Sequence, residues 1–366
     1  MSARHPAHGT RTGRVPDVIH FEALGAEARQ LERETRRAVR CGDLPPGHVC
    51  LIVPESVQAF LLAHPGTVRP PLITIKTHSE IPAAHLRCGG RGIVTRSAGY
   101  DHVEHLAKHA AITSLREYCV NAVAQTAIKF LYAAAGKLNH YAALTASFDR
   151  RSATAFSELG KHLTLTVFGV GKIGGRIAEL AAANGLTVQG VDLRQAERAA
   201  HFGNTVRFVS KETALRSSHI IVNAMNLTRS RRSRFFNVGY FSRESLQQTR
   251  KGLIFINVTR GEIAPESVLL ERYQSGQIAG LGLDVFTREA EFATLFTGGD
   301  VLGEDLTAAR TLVDMALNRT GNVYVQPHQA FHSDLAVKAK AAETIKHLAS
   351  WYRNNCTRFD DQLPYS

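Results

Sequence analysis

The stretch LTLTVFGVGKIGGRIAELAAANGLTVQGVD, from Leu163 to Asp192, restricts the fold more than any other part of this chain. Leu163 to Phe168 is short, apolar and β-rich, which suits a buried strand. Gly169, Gly171 and Gly174 follow as G-x-G-x-x-G. Gly169 suits the tight turn, Gly171 a close approach of backbone to a pyrophosphate, and Gly174 close packing of helix on strand. A helix from Ile173 to Asn184 would aim its first N–H groups at that phosphate, where the helix dipole favours an anion. Gly185 suits a left-handed helix stop. Leu186 to Val191 reads as the next strand and delivers Asp192, 18 residues after Gly174. That is close to the spacing at which an acid meets the adenosine ribose. A carboxylate there repels a 2′-phosphate, so NAD is expected over NADP, although Arg194 lies two residues on. The bland reading, a glycine-rich turn without a ligand, fits the complete strand–turn–helix–strand–acid series less well.

The 366 residues suffice for two domains with cores of their own. No run is long and apolar enough to suggest a membrane span. The basic N-terminus MSARHPAHGTRTGR has no apolar run after it, so a disordered tail is expected rather than a secretory signal or a mitochondrial presequence. Cys41, Cys50, Cys88, Cys119 and Cys356 are scattered and odd in number. They fit a reducing cytoplasm better than a disulfide framework or a zinc site, and no metal is expected. The net charge of +12 suits an anionic cofactor and substrate as well as nucleic acid. Arg229, Arg231, Arg232 and Arg234 form the sharpest basic cluster. A solvated loop is the preferred reading, since no nucleic-acid-binding signature accompanies them. Neither nucleic acid nor membrane is an expected partner.

Strands are expected at Val18–Phe21, Val49–Val53, Leu72–Lys76 and Ile93–Thr95, with helices at Ala26–Ala38, Ser56–His64 and Pro82–Leu86. Such βα alternation predicts a parallel, doubly wound sheet. Asn121 to Ala135 is an alanine-rich helical run that reads as a rigid connector. After Asp192 the rhythm resumes. Strands are expected at Val206–Val209, Ile220–Asn223, Leu253–Val258, Ile278–Asp284 and Val323–Val325. Helices are expected at Lys211–Arg216, Pro265–Ser275, Leu306–Leu317 and Ser333–Asn354. The fold class is therefore α/β.

Three polar groups stand at expected strand ends, the edge where open parallel sheets bind ligands. Arg260, in Asn257-Val258-Thr259-Arg260-Gly261, could grip a carboxylate through two parallel hydrogen bonds. Asp284 is followed by Glu289, and Pro327 by His328. A histidine moves a proton near neutral pH, and a neighbouring carboxylate favours its charged form. Singly, Arg260 could be a surface ion pair, Glu289 a solvated acid, and His328 one of 17 histidines.

Together with two further motifs they resemble the D-isomer-specific 2-hydroxyacid dehydrogenases. The likeness runs from about Ile73 to Ile345 and is carried by RSAGYDHV (Arg96 to Val103), GVGKIGGRIA (Gly169 to Ala178), INVTRGEI (Ile256 to Ile263), AGLGLDVFTREAE (Ala279 to Glu291) and QPHQAFHSD (Gln326 to Asp334). The resemblance implies a Rossmann-type NAD domain at 120–331. It also implies a discontinuous, flavodoxin-like substrate domain at 1–119 and 332–366, with a cleft between two doubly wound parallel sheets. It implies catalysis by Arg260, Glu289 and His328. Cofactor contacts are implied for Gly169, Gly171, Lys172, Ile173, Gly174, Asp192, Met225, Asn226, Asn237, Val258, Thr259 and Asp284. Substrate contacts are implied for Ala98, Gly99, Tyr118, Arg260 and His328. NAD, a small 2-oxo or 2-hydroxy acid and a homodimer are the implied partners, with pyruvate and D-lactate the leading pair. Gln125 stands where the family usually has a glutamate, and Asn226 where it has a proline. The arginine-rich loop after Asn226 is about two residues longer than usual. An NAD(H)-sensing regulator of the corepressor type, on the same fold, is the alternative function.

Overall fold

The structure, a computed structural model, describes residues 15–66, 70–82, 86, 91–297 and 303–365. The helix expected at Pro82–Leu86 and the N-terminal tail thus lie largely outside the described residues. The chain divides into two compact units, Met1–Tyr118 with Val337–Ser366, and Cys119–Ala336.

The first unit holds strands β1 (Val18–His20), β2 (Cys50–Ile52), β3 (Leu72–Ile75), β4 (Gly92–Thr95) and β5 (Ala111–Ser114), with helices α1 (Gly25–Cys41) and α2 (Val57–Ala63). Its sheet order is β2-β1-β3-β4-β5, all parallel, which is the flavodoxin-like order. Because successive strand residues point to opposite faces, Ile19, Ile73 and Ile93 enter one apolar core while Val18, Leu72 and Val94 enter another. Trp351 and Leu348 of the last helix, given below, cover the second core. Ser56 caps α2, its side chain accepting from the Ala59 N–H.

The second unit contains α3 (Val120–Ala135), α4 (Leu138–Thr145), β6 (Thr164–Phe168), α5 (Lys172–Ala183), β7 (Thr187–Val191), α6 (Gln195–Phe202), β8 (Arg207–Phe208), α7 (Lys211–Ser217), β9 (Ile220–Asn223), α8 (Arg243–Gln247), β10 (Leu253–Asn257), α9 (Glu266–Gln274), β11 (Ile278–Leu283), α10 (Glu289–Thr294), α11 (Glu304–Leu317) and β12 (Val323–Val325). Helix α12 (Asp334–Arg353) begins in the second unit and continues in the first. The parallel sheet runs β8-β7-β6-β9-β10-β11-β12. The chain therefore winds outward from β6 in one direction, then returns to β9 and winds outward in the other. The crevice outside the C-terminal ends of β6 and β9 is the place where such a sheet takes a ligand. Every residue of β9 and β10 is buried, as a strand covered on both faces requires.

The alanine-rich segment expected as a connector is a packed helix of this unit. Ala124, Ala127 and Ala134 of α3 are buried, and small side chains let the helix lie close on β10, β11 and α5. Gly282 of β11 completes the fit, since a Cβ there would lie 2.5 Å from Phe130. Helix α5 ends as expected. Gly185 has φ +81, and the Leu186 N–H returns to the Ala181 carbonyl at 3.2 Å.

Candidate active site

At the end of β6, Gly169 adopts φ +86, and a Cβ there would stand 2.8 Å from the Met225 backbone. The loops that follow β6 and β9 thus touch at the switch point. A Cβ on Gly174 would stand 1.9 Å from the Gly169 carbonyl oxygen. Gly171 differs, because nothing lies within 4 Å of its Cβ position. That open side, together with the first N–H groups of α5 from Lys172 and Ile173, fits a pyrophosphate. Asp192 ends β7's run. Its Oδ2 accepts the Val170 N–H at 2.8 Å and its Oδ1 accepts the Arg194 N–H at 2.8 Å. The carboxylate therefore holds the glycine turn, and each oxygen keeps lone-pair capacity for a ribose hydroxyl. Asp192→Ala is expected to weaken NADH binding about tenfold or more by removing a charged acceptor, and to narrow the gap to NADPH. Fluorescence titration of both cofactors tests this; an unchanged NADH affinity would discount the ribose contact.

Two buried asparagines organise the neighbouring strand ends. Asn223 Nδ2 donates to Asn257 Oδ1 and to Thr259 Oγ1, each at 2.9 Å, while its Oδ1 accepts the Met225 N–H at 3.2 Å. Asn257 Nδ2 donates to the Arg260 carbonyl at 2.9 Å, and its Oδ1 accepts the Thr259 N–H at 3.3 Å. An amide supplies both donor and acceptor without charge, so this pair sits in the core and fixes Met225, Thr259 and Arg260. Arg260 is half-buried, with its Nη1 donating to the Thr259 carbonyl at 2.9 Å. Gly261 is required beside it, because a Cβ would stand 2.1 Å from the Phe286 carbonyl carbon and 2.2 Å from the Thr287 nitrogen. This close crossing brings the Arg260 loop to the turn that carries Glu289.

Asp284 follows β11 and is buried. Its carbonyl accepts the His328 N–H at 2.7 Å. Its Oδ1 accepts from Gln326 Nε2 at 2.9 Å and from the N–H groups of Gln329 and Ala330 at 2.9 and 3.0 Å. Burial pushes this carboxyl above its usual range, against those hydrogen bonds and the His328 charge. His328 itself has φ +52, and Arg288, before Glu289, has φ +51. Left-handed non-glycine residues cost roughly 1–3 kcal/mol each and cluster at functional sites. His328 Nδ1 lies 2.7 Å from Glu289 Oε2, so Nε2 is the nitrogen left to meet a ligand. Glu289 Oε1 accepts the Phe286 N–H at 3.1 Å. Burial resists ionisation of Glu289, yet the His328 hydrogen bond and charge, with Arg260 further off, hold its carboxyl below the usual range. The arrangement can deliver a proton from a carboxylate-backed imidazole beside a guanidinium.

Arg260, Glu289 and His328 are thus brought together in the second unit. Ala98, Gly99 and Tyr118 belong to the first. There Ser97 Oγ donates to the Gly99 carbonyl at 2.7 Å, and the Tyr118 N–H donates to Glu343 Oε2 at 2.7 Å. Asn237 is turned to its own loop, donating to the Asn226 carbonyl at 2.7 Å and accepting the Thr228 N–H at 2.8 Å. Of the arginine cluster, Arg229 pairs with Glu262 at 2.6 Å. Gln125, Lys129, Gln326, Pro327 and His332 line a shallow depression next to the His328 loop. Asn223 and Glu266 have no place in the sequence motifs, and Gln326 opens QPHQAFHSD without a role of its own there. Glu266 is buried, accepts the Thr287 N–H at 2.7 Å, and is pushed up to about 7 by burial. Their only sequence signal is a polar residue closing or following an apolar run. Among the described residues no group of three or more His, Cys, Asp or Glu could hold a metal, and no helix is long and apolar enough to cross a membrane.

A family model described as "D-isomer specific 2-hydroxyacid dehydrogenase, NAD binding domain" matches residues 128–330, inside the second unit. The chain is 39% identical over 141 residues to a D-3-phosphoglycerate dehydrogenase of Bacillus subtilis (strain 168); the match covers 38% of this chain and only 25% of that relative's length. It is 25% identical over 287 residues to a D-lactate dehydrogenase of Escherichia coli (strain K12), covering 77% of this chain and 79% of that one. Among solved structures, D-lactate dehydrogenase from Aquifex aeolicus complexed with NAD and lactic acid matches with a TM-score of 0.74. The identity is 22%, covering 92% of this chain and 96% of that one. At that identity the structural likeness speaks for the fold.

Proposed function

Because the chain belongs to the D-isomer-specific 2-hydroxyacid dehydrogenase family and is an NAD-dependent oxidoreductase, we propose that it reduces a small 2-oxo acid, pyruvate being the simplest, to the D-2-hydroxy acid. The observation that carries this reading is the Arg260–Glu289–His328 constellation on three loops at one sheet edge. The glycine turn, the N-terminus of α5 and Asp192 hold NADH. When bound, NADH supplies the hydride for the carbonyl carbon. Met225, Asn226, Val258 and Thr259 line the cofactor side of the strand ends, and Asp284 meets the carboxamide through Oδ2. Arg260 forks onto the substrate carboxylate and carbonyl oxygen and stabilises charge that develops there. His328 Nε2 gives its proton to that oxygen, and Glu289 favours the charged imidazole that can do so. The family resemblance further assigns the backbone N–H groups of Ala98 and Gly99 to the substrate carboxylate and Tyr118 to the substrate.

The test is NADH oxidation against pyruvate, glyoxylate, hydroxypyruvate, 2-oxobutyrate and 2-oxoisocaproate, with NADPH in parallel and the product's chirality determined. Turnover giving the D-product supports the reading. No turnover, in protein shown to bind NADH, refutes it and favours the regulatory alternative. Arg260→Lys is expected to raise the KM for the 2-oxo acid about ten- to hundredfold, since a lysine cannot make the forked contact. A KM at the parent value would remove Arg260 from substrate binding.

A further inference from the structure

The first unit contains a charge cluster that the reading above leaves unused. Lys76 follows β3, Arg96 follows β4, and His20 and Phe21 lie at the end of β1. These are the C-terminal strand ends around the β1/β3 switch of a flavodoxin-like order, where such a sheet takes its ligand. Arg96 has no exposed surface. Its Nε donates to Glu27 Oε1 at 3.0 Å, its Nη2 to the Phe21 carbonyl and its Nη1 to the Thr74 hydroxyl. Lys76 pairs with the same Glu27 carboxylate, and Lys340 of α12 reaches it at 3.4 Å. One carboxylate is therefore shared by three cations. A second acid, Glu22, also acts on Arg96, so three cations face two carboxylates and one positive charge is left over. Glu22 accepts the Lys76 N–H at 2.8 Å, the His78 N–H at 3.2 Å and the Ser79 hydroxyl at 2.6 Å.

The environment registers the imbalance. Burial resists ionisation of Glu27, but Arg96, Lys340 and Lys76 overcome it and hold the carboxyl down at about 2. Lys340 is only 8% exposed, and burial, with Lys76 and Arg96 opposing Glu27, pushes its ammonium down to about 8. His20 is fully buried, with Nδ1 on the Thr74 hydroxyl and no hydrogen-bond partner at Nε2. Buried lysines are rare unless paired, and buried positive charge in excess of its counter-charge is costly. The cluster adjoins the substrate residues of the first unit. Arg96 precedes the Ser97–Gly99 loop, and Lys340 Nζ lies 5.5 Å from the centre of the Tyr118 ring.

We propose that Lys76, Lys340 and Arg96 form an anion subsite that receives a second, distal anionic group of the 2-oxo acid, a carboxylate or a phosphate. The inference rests on the proposed placement of the substrate's first carboxylate at Ala98 and Gly99. Lys76, whose side chain is 30% exposed, and Lys340 meet the distal group directly. Arg96, with its donors committed to Glu27, Phe21 and Thr74, supplies fixed charge. The lysines are specificity-determining residues and take no part in proton or hydride transfer.

The experiment compares kcat/KM for pyruvate and 2-oxobutyrate with that for oxaloacetate, 2-oxoglutarate and 3-phosphohydroxypyruvate. It uses the parent protein, Lys76→Met, Lys340→Met and Lys340→Arg. A distal-anion substrate is expected to exceed pyruvate at least tenfold, and the two methionine variants to cut that ratio at least tenfold through KM. Lys340→Arg should restore much of it. Oxaloacetate and 2-oxoglutarate against 3-phosphohydroxypyruvate distinguish a carboxylate from a phosphate. A parent ratio at or below one, or a ratio unmoved in both methionine variants, overturns the inference while leaving the proposed function intact. Melting curves with malonate and with acetate give a readout independent of turnover. Malonate is expected to raise the parent's Tm more than acetate does, and not to do so in Lys340→Met. If no 2-oxo acid is reduced, the proposed function fails. Malonate then decides the subsite alone: a parent-specific shift supports it and equal shifts overturn it.

Discussion

Replacing His328 with alanine is expected to lower kcat by about 10²–10⁴-fold, the usual scale of a lost general acid, while NADH still binds. The reasons lie in the division of labour around this residue. The backbone of His328 is held by the carbonyls of Asp284 and Gln326, at 2.7 and 3.1 Å, and neither contact involves the ring. The ring hydrogen-bonds to Glu289, which keeps the Phe286 N–H when the imidazole is removed. The glycine turn and Asp192 lie on other loops. A competing explanation for lost activity would be collapse of the left-handed backbone. His328→Asn separates the two, because asparagine tolerates φ near +52 better than alanine and still cannot supply the proton. Equal losses in both variants, at unchanged NADH affinity, assign the effect to the imidazole. A kcat within threefold of the parent in either variant would end the proposed role.

The second large effect is expected at Gly174. A methyl group there would stand 1.9 Å from the Gly169 carbonyl oxygen and 3.1 Å from Val167 Cγ1. Gly169 cannot yield easily, since it is packed against the Met225 backbone. The turn must therefore distort as a whole. Gly174→Ala should lose at least tenfold in NADH affinity, with an overpacking cost of about 1–3 kcal/mol in stability. Gly171→Ala is the contrasting variant. Its Cβ meets nothing within 4 Å, so the protein should melt at the parent temperature while NADH binding falls. Titration and melting of the two variants together test the geometry. Parent-like NADH affinity in Gly174→Ala would sink it.

Much of this was legible in the sequence because the chemistry-bearing residues close apolar runs. Periodicity alone places Gly169, Asp192, Arg260 and Asp284 at strand ends, and parallel strands put those ends on one edge. What is not legible depends on partners far along the chain. Strand β5 reads as half polar, yet Thr113 and Ser114 are buried because His347 and Tyr365, more than 200 residues later, meet them. Helix α4 buries no residue, and no apolar stripe announces it. Asn223 and Asn257 each look like an unremarkable strand terminus, and only their mutual hydrogen bond makes them a brace. Lys340 lies in a helix rich in alanine and lysine, and nothing in that pattern distinguishes it from Lys338, which is exposed.

The way Asp284 is bonded has a consequence for the order in which the protein loses its capacities. One residue secures the amides of His328, Gln329 and Ala330 across sequence separations of 44 to 46, with Gln326 as an additional tie. These amides should exchange with solvent as a single cooperative group rather than one by one. The strand leading into them, β12, is three residues long and sits at the edge of its sheet, paired with β11. Short edge pairing of this kind opens before strands inside the sheet, among them β6 and β9. In rising denaturant the enzyme is therefore expected to stop turning over before it releases its cofactor. Deuterium uptake at residues 328–330, followed alongside NADH fluorescence, would show whether the two events separate.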